Sequence, residues 1–154
     1  MPNVSAGLLM YRRGEQGLEA FLAHPGGPFF RNKDAGAWTL PKGLRNPDET
    51  LLEAARREFQ EEIGLPVGEP LLPLGEVRQR SGKIVHAWAF EGSAPSDFVP
   101  ASNTFELEWP PRSGKLALFP EVDRARFFSL AEARIKLNAA QTAFLDRLVA
   151  LLAD

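Results

Sequence analysis

The sequence predicts an α+β fold in one domain over residues 1–154, with several short strands mixed with about three helices. Three observations predict it. Pairs of strand-like apolar runs are each broken by a glycine-bearing polar turn. The segment Thr50 to Ile63 carries apolar residues at helical spacing between a clear start and a clear stop. Further capping signals precede apolar runs near the C-terminus.

Val4 to Arg12 and Leu18 to His24 flank the turn Arg13-Gly14-Glu15-Gln16-Gly17 and read as a hairpin. Pro25-Gly26-Gly27-Pro28 and the polar stretch Arg31 to Gly36 read as loop. Ala37 to Leu40 is a short strand stopped by Pro41. In the helix Thr50 to Ile63, Thr50 is the N-cap, and Glu53 reaches back to its amide. Leu52, Ala55, Phe59 and Ile63 face the core, Gly64 supplies the left-handed C-terminal cap, and Pro66 prevents continuation. Leu71 to Arg80 and Lys83 to Phe90 flank Ser81-Gly82 as another hairpin. Gly92 to Asn103 reads as loop, Thr104 to Trp109 as strand, and Arg126 to Phe128 as a short strand. Ser129 with Glu132 opens a short helix to about Lys136. Asn138 with Gln141 opens a final helix to about Leu152, with Ala140, Phe144, Leu148 and Leu151 along one stripe.

At 44% hydrophobic and 25% charged residues, the 154-residue chain is an ordinary globular sequence, long enough to bury a core. A formal net charge of −2 gives no bulk attraction to nucleic acid or anionic lipid, so neither DNA nor a membrane is expected as partner. The absence of cysteine removes disulfides, thiolate metal sites and cysteine nucleophiles. The first residues, Met1-Pro2-Asn3-Val4-Ser5-Ala6-Gly7, lack a basic start and a long apolar run. No stretch reaches the ~18 apolar residues of a membrane span. The expectation is a cytoplasmic protein of undetermined oligomeric state.

The main helix has another face. Glu58, Glu61 and Glu62 lie at i, i+3 and i+4 and project from one side within a turn. Like charges at this spacing destabilise an isolated helix, so something should offset the repulsion. A divalent cation does so, and Arg57 offsets part of it. Oxygen-only donors select hard cations such as Mg²⁺, which takes one or two carboxylates plus phosphate oxygens and waters. Taken alone, a glutamate-rich helix face is more often solvated surface.

The wider pattern decides between them. Gly43, five residues, Glu49, seven residues, then Arg57-Glu58-Phe59-Gln60-Glu61-Glu62-Ile63-Gly64-Leu65 closely resembles the signature of the Nudix hydrolase family. Every fixed position is filled; Phe59 stands where an aliphatic residue is more usual. Seven fixed residues at about 6% each make a chance match rarer than about one in a million.

The resemblance implies an α/β/α sandwich around a mixed β-sheet and metal-assisted hydrolysis of a phosphoanhydride. It implies Glu58, Glu61 and Glu62 as metal carboxylates with the Gly43 carbonyl as a further ligand. Mg²⁺ is the implied ion, with Mn²⁺ as substitute. Arg57 would orient the glutamates, and Glu49 would hold the loop or contact the metal through water. The base that activates water is open: Glu61, Glu121, Glu106 and Glu108 are candidates, with Glu121 favoured outside the signature. Lys42 would bind a substrate phosphate as a point charge. The run Pro41-Lys42-Gly43 is similar to branches acting on dinucleoside or diphosphoinositol polyphosphates. Arg78, Arg80 and Lys83, or Arg112 and Lys115, are candidate grips for a polyphosphate. Phe29, Phe30, Trp38 and Trp109 are candidate stacking platforms, with Trp38 taken as substrate-binding. His24 and His86 receive no role.

The favoured substrate is a small phosphorylated molecule, a dinucleoside or nucleoside polyphosphate. The alternatives are a silent nucleotide-sensing domain and a hydrolase of RNA 5′ pyrophosphates or caps. Retained carboxylates argue against the first. The lack of a basic footprint argues against the second.

Overall fold

The computed structural model describes residues 4–15 and 17–153. Met1 to Asn3 of the N-terminal segment and Gln16 of the first turn, read above from sequence, lie outside the described residues. The chain runs through β1 (Val4–Gly14), β2 (Gly17–Pro25), β3 (Lys42–Leu44), α1 (Leu51–Glu62), β4 (Leu72–Arg78) and β5 (Ile84–Glu91). It continues through β6 (Thr104–Glu108), β7 (Leu116–Pro120), β8 (Val122–Ser129), α2 (Leu130–Lys136), a 3₁₀ turn (Ala139–Gln141) and α3 (Thr142–Leu152).

Both expected hairpins form, β1–β2 and β4–β5, and they join through parallel pairing of β1 with β5. The mixed sheet has the order β4-β5-β1-β2-β8, with β3 added on β1 and β6–β7 as a separate ribbon. Along its second edge β1 is shared: Ser5 to Gly7 pair with β3, and Tyr11 to Gly14 with β2. The cleft described below opens where β2 and β3 part.

β1 is buried on both faces because it lies in the middle of the sheet. Its alternation sends Ala6, Leu8 and Met10 against α1 with Phe59 and Ile63. Leu9 and Tyr11 go to the opposite face, with Trp38, Phe144 and Leu148. The result is the α/β/α sandwich. The outer edge of β4 is blunted by α3, where Arg147 Nη1 donates to the carbonyls of Leu74 at 2.9 Å and Glu76 at 2.8 Å.

Helix α1 forms as expected. Glu53 N–H donates to the Thr50 hydroxyl at 3.1 Å, and Thr50 N–H donates to the Glu53 carboxylate at 2.9 Å. Gly64 has φ +84°, the left-handed conformation that glycine adopts at least cost. Leu52 is not part of the core; Ala54 joins Ala55, Phe59 and Ile63 there instead.

Several expectations need correction. Ala37 to Leu40 is no strand: Thr39 makes an isolated bridge to Ala23 and Trp38 one to Leu137, stitching β2 to the end of α2. β3 and β7 are further strands that the sequence reading lacks: β3 is three residues long and pairs with the distant β1, and β7 closes a hairpin with β6. β8 begins at Val122 rather than Arg126 because β2 supplies a partner along its whole length. Ser129 caps α2 through Glu132 N–H at 3.2 Å. Asn138 caps the 3₁₀ turn, so α3 starts at Thr142. Gln141 points inward and is fully buried, Leu145 takes the place expected of Leu151, and Leu151 is exposed.

Candidate active site

The signature loop is tied down by one arginine. Arg57 grips Glu49 with both ends of its fork, Nε to Oε2 at 2.7 Å and Nη2 to Oε1 at 2.9 Å. Nη2 also donates to the Leu44 carbonyl at 3.0 Å, and Nη1 to Glu58 at 2.9 Å and Glu61 at 3.2 Å. One side chain thus fixes the loop after β3 to Glu58 and Glu61 of the helix. Asn46 N–H adds a bond to Glu49 at 2.9 Å. Arg57 first, and Asn46 second, hold the Glu49 pKa down at about 2.

That shift makes a stability prediction. A carboxylate whose pKa is lowered on folding stabilises the protein above its ordinary value near 4.5, and the contribution is lost as pH falls through about 2. Glu49→Gln should therefore melt below the wild type at pH 6, with the gap closing on acidification. A gap that stays constant down to the acid limit in thermal melts would show that Arg57 is not the source.

Gly43 is required by a close approach. A Cβ at this position would lie 2.1 Å from the Glu58 carboxyl carbon, so the carboxylate packs directly on the loop backbone. Glu58 is 14% exposed and Glu61 40% exposed at the side chain. Glu62 is buried, at 8%. Burial raises its pKa to about 8, with the charges of Glu58 and Glu121 adding and those around Lys42 opposing. Burial also raises the Glu58 pKa against the pull of Arg57. Burial lowers the Lys42 pKa, helped by nearby Lys83.

Of these groups Lys42 and Glu62 line a cleft of about 180 Å³, together with Pro25, Thr39, Leu40, Glu121 and Val122. The fold brings Glu121, at the junction of β7 and β8, across from a glutamate 59 positions earlier (121 − 62). Among the described residues no three acidic or imidazole side chains meet at metal-ligand spacing. Arg57 holds Glu58 and Glu61 to itself. A buried carboxylate among other carboxylates, beside a loop carbonyl and with oxygen donors only, fits a hard divalent cation that completes its shell with phosphate and water.

Other candidates fall elsewhere. Trp38 does not line the cleft. It is 2% exposed, donates Nε1–H to Asp34 at 2.8 Å and packs edge-on against His24 and Phe128, so core packing claims it. Glu106 and Glu108 lie on the exposed face of the β6–β7 ribbon, where Glu108 accepts from Arg112 N–H at 2.9 Å. Phe29 pairs with Trp109. His24 is fully buried, with Nδ1 2.8 Å from Asp123 and Nε2 2.7 Å from the Lys33 carbonyl, tying β2 to β8 and to the following loop. Sequence reading assigns no site role to Thr39, Gln79, Asn138 and Gln141, the last two read there only as a helix-capping pair; they line the continuation of the cleft beyond Lys42. Single amides and hydroxyls far apart in sequence carry no spacing signal.

Comparison with known proteins identifies the family and the fold. The family model for the NUDIX domain matches residues 1–148. A C. elegans Ap4A hydrolase in a binary complex superposes with a TM-score of 0.66 at 24% identity, over 96% of this chain and 97% of that one. A MutT protein from Methanosarcina mazei Go1 gives 0.61 at 26% identity, over 99% and 97%. The NUDIX domain of Shewanella oneidensis NrtR complexed with ADP ribose gives 0.65 at 15% identity, over 99% and 90%. With the signature seated on a capped helix under an acid-lined cleft and the family match spanning nearly the whole chain, this protein belongs to the Nudix family, as a pyrophosphohydrolase acting on acid anhydrides.

Proposed function

We propose that residues 1–154 act as one cytoplasmic Mg²⁺-dependent domain that hydrolyses a nucleoside diphosphate-linked substrate, with a dinucleoside or nucleoside polyphosphate favoured. The observation that carries it is the shared cleft: buried Glu62 and solvent-exposed Glu121, with Lys42 as the adjoining cation. Neighbours named for Ap4A hydrolysis and for an ADP-ribose complex support a nucleotide. No helix among the described residues is long and apolar enough to cross a membrane.

Glu62 and Glu58, with the Gly43 carbonyl and Glu61 at the rim, would hold the ion, for which Mn²⁺ can substitute. Such an ion neutralises phosphate charge and lowers the pKa of bound water. The protein's residues do the rest. Lys42 binds a phosphate oxygen from the far wall. Arg57 keeps Glu58 and Glu61 in register with the loop. Glu121 accepts the proton of the attacking water as its oxygen bonds to phosphorus, and the bridging P–O bond breaks to release the second phosphate product.

A panel of dinucleoside polyphosphates, nucleoside triphosphates, ADP-ribose and diphosphoinositol phosphates tests this, with products separated after incubation with Mg²⁺. Cleavage of a nucleotide member, stopped by a chelator and restored by Mg²⁺ or Mn²⁺, is the expected result. Turnover that persists in chelator, or cleavage of the inositol compounds alone, overturns it.

A further inference from the structure

Beyond Lys42 the cleft continues into a space of about 180 Å³ that shares Pro25, Thr39 and Lys42 with the acidic end. Its new polar groups are amides: Gln79 at the β4–β5 turn and Asn138 before the 3₁₀ turn, with Gln141 beneath and Phe30 as a wall. The hydrogen bonds fix which way each amide faces. Leu40 N–H, which can only donate, meets Gln141 Oε1 at 3.0 Å. Gln141 Nε2 must then be the donor toward Thr39 Oγ1 at 3.0 Å and Gln79 Oε1 at 2.9 Å. Gln79 has therefore committed its oxygen and keeps its NH₂ for the cleft. Asn138 has done the same, since its Oδ1 accepts from Ala140 N–H at 3.1 Å. Thr39 accepts from Gln141, and its one hydroxyl hydrogen is taken by the Leu40 carbonyl at 3.0 Å or by Gln141 Oε1 at 3.1 Å. Among the described residues no buried side-chain nitrogen or oxygen lacks a partner, so the unused NH₂ groups of half-buried Gln79 and Asn138 retain solvent access in the space that these residues line.

We infer that this end of the cleft is a base-recognition site that reads a nucleobase on its major-groove edge, where guanine (O6, N7) and uracil (O4) present acceptors and adenine (N6) and cytosine (N4) an NH₂. The inference rests on the nucleotide reading above. Two NH₂ groups whose oxygens are locked away match ring-carbonyl and ring-nitrogen acceptors, and they oppose the exocyclic NH₂ of adenine or cytosine. Neutral donors suit a neutral ligand. The one cation lining this end, Lys42, stands at the border with the acidic end, where the phosphates belong. Phe30, 37% exposed, offers its ring to a flat heterocycle. Gln141 is a positioning residue that acts through Gln79.

The test uses binding, so that it does not depend on turnover. GMP, UMP, AMP and CMP are titrated calorimetrically into the whole protein with Mg²⁺. GMP and UMP should bind about tenfold or more tightly than AMP and CMP, the order set by leaving polar groups unmatched. Gln79→Glu and Asn138→Asp keep the bonds to Gln141 and Ala140 but turn an acceptor toward the cleft. Each should shift the oxo-to-amino ratio about tenfold toward AMP and CMP, and the ratio is insensitive to the added charge. Gln79→Ala and Asn138→Ala should bring it toward one. Equal binding of all four nucleotides, binding of none, or an unshifted ratio in the acidic variants overturns the inference. Base-blind binding alongside Mg²⁺-dependent hydrolysis sinks this site and leaves the hydrolase reading standing. Base-selective binding without hydrolysis of any panel member does the reverse.

Discussion

Glu62→Gln should lower Mg²⁺-dependent turnover by about 10³-fold or more and leave the fold intact, as several kcal/mol of metal-derived stabilisation is lost. The reasons are geometric and electrostatic. Glu62 is the most buried of the signature glutamates and lines the cleft opposite Glu121. Its carboxylate is desolvated and faces other carboxylates, so without a cation its charge is a net cost. Glutamine keeps the shape and the capacity to accept from Lys42 N–H while removing the anionic ligand. The thermal midpoint in chelator should not fall. Near-wild-type activity in Glu62→Gln, measured at saturating Mg²⁺, would remove Glu62 from the metal site. A collapsed melt would instead show that the carboxylate is a structural element.

Glu121→Gln should reduce kcat by about 10²- to 10³-fold with KM little changed, the usual share of a general base. Glu61, Glu106 and Glu108 are the other candidates for this base, and the fold separates them from Glu121. Glu121 lies in the cleft with Glu62, close enough for its charge to raise the pKa of both Glu62 and Glu58. Glu61 is held by Arg57 and does not line that cleft, and Glu106 and Glu108 sit on the ribbon away from it. Glu61→Gln should therefore cost less than Glu121→Gln. A reversed order in single-turnover experiments would move the base to Glu61. An equal loss through KM would make Glu121 a binding group.

Local signals were read where they are physically local. The capping box at Thr50 and Glu53, the cap at Gly64 and the hairpins around Gly14–Gly17 and Ser81–Gly82 depend on neighbours a few residues apart. The same holds for the Glu58, Glu61 and Glu62 face, because one helical turn sets it. Ala37 to Leu40 failed for the opposite reason. Its apolar pattern reports burial, while its pairing depends on Ala23 and Leu137, which only the folded chain supplies. β3 is hidden on the same ground, since its partner β1 lies far away in sequence.

The sequence by itself determined the family, the carboxylate-bearing helix and the loop from Gly43 to Glu49, since fixed spacing on a helix and a turn is a local property. The tertiary structure decided which residues share the cleft. It withdrew Trp38 into the core, brought Glu121 to Glu62, and aligned Gln79, Asn138 and Gln141 beyond Lys42. These outcomes depend on which strands are neighbours and on where backbone N–H groups point. Leu40 N–H sets the orientation of Gln141 across 101 positions of sequence, and no short-range pattern encodes that contact.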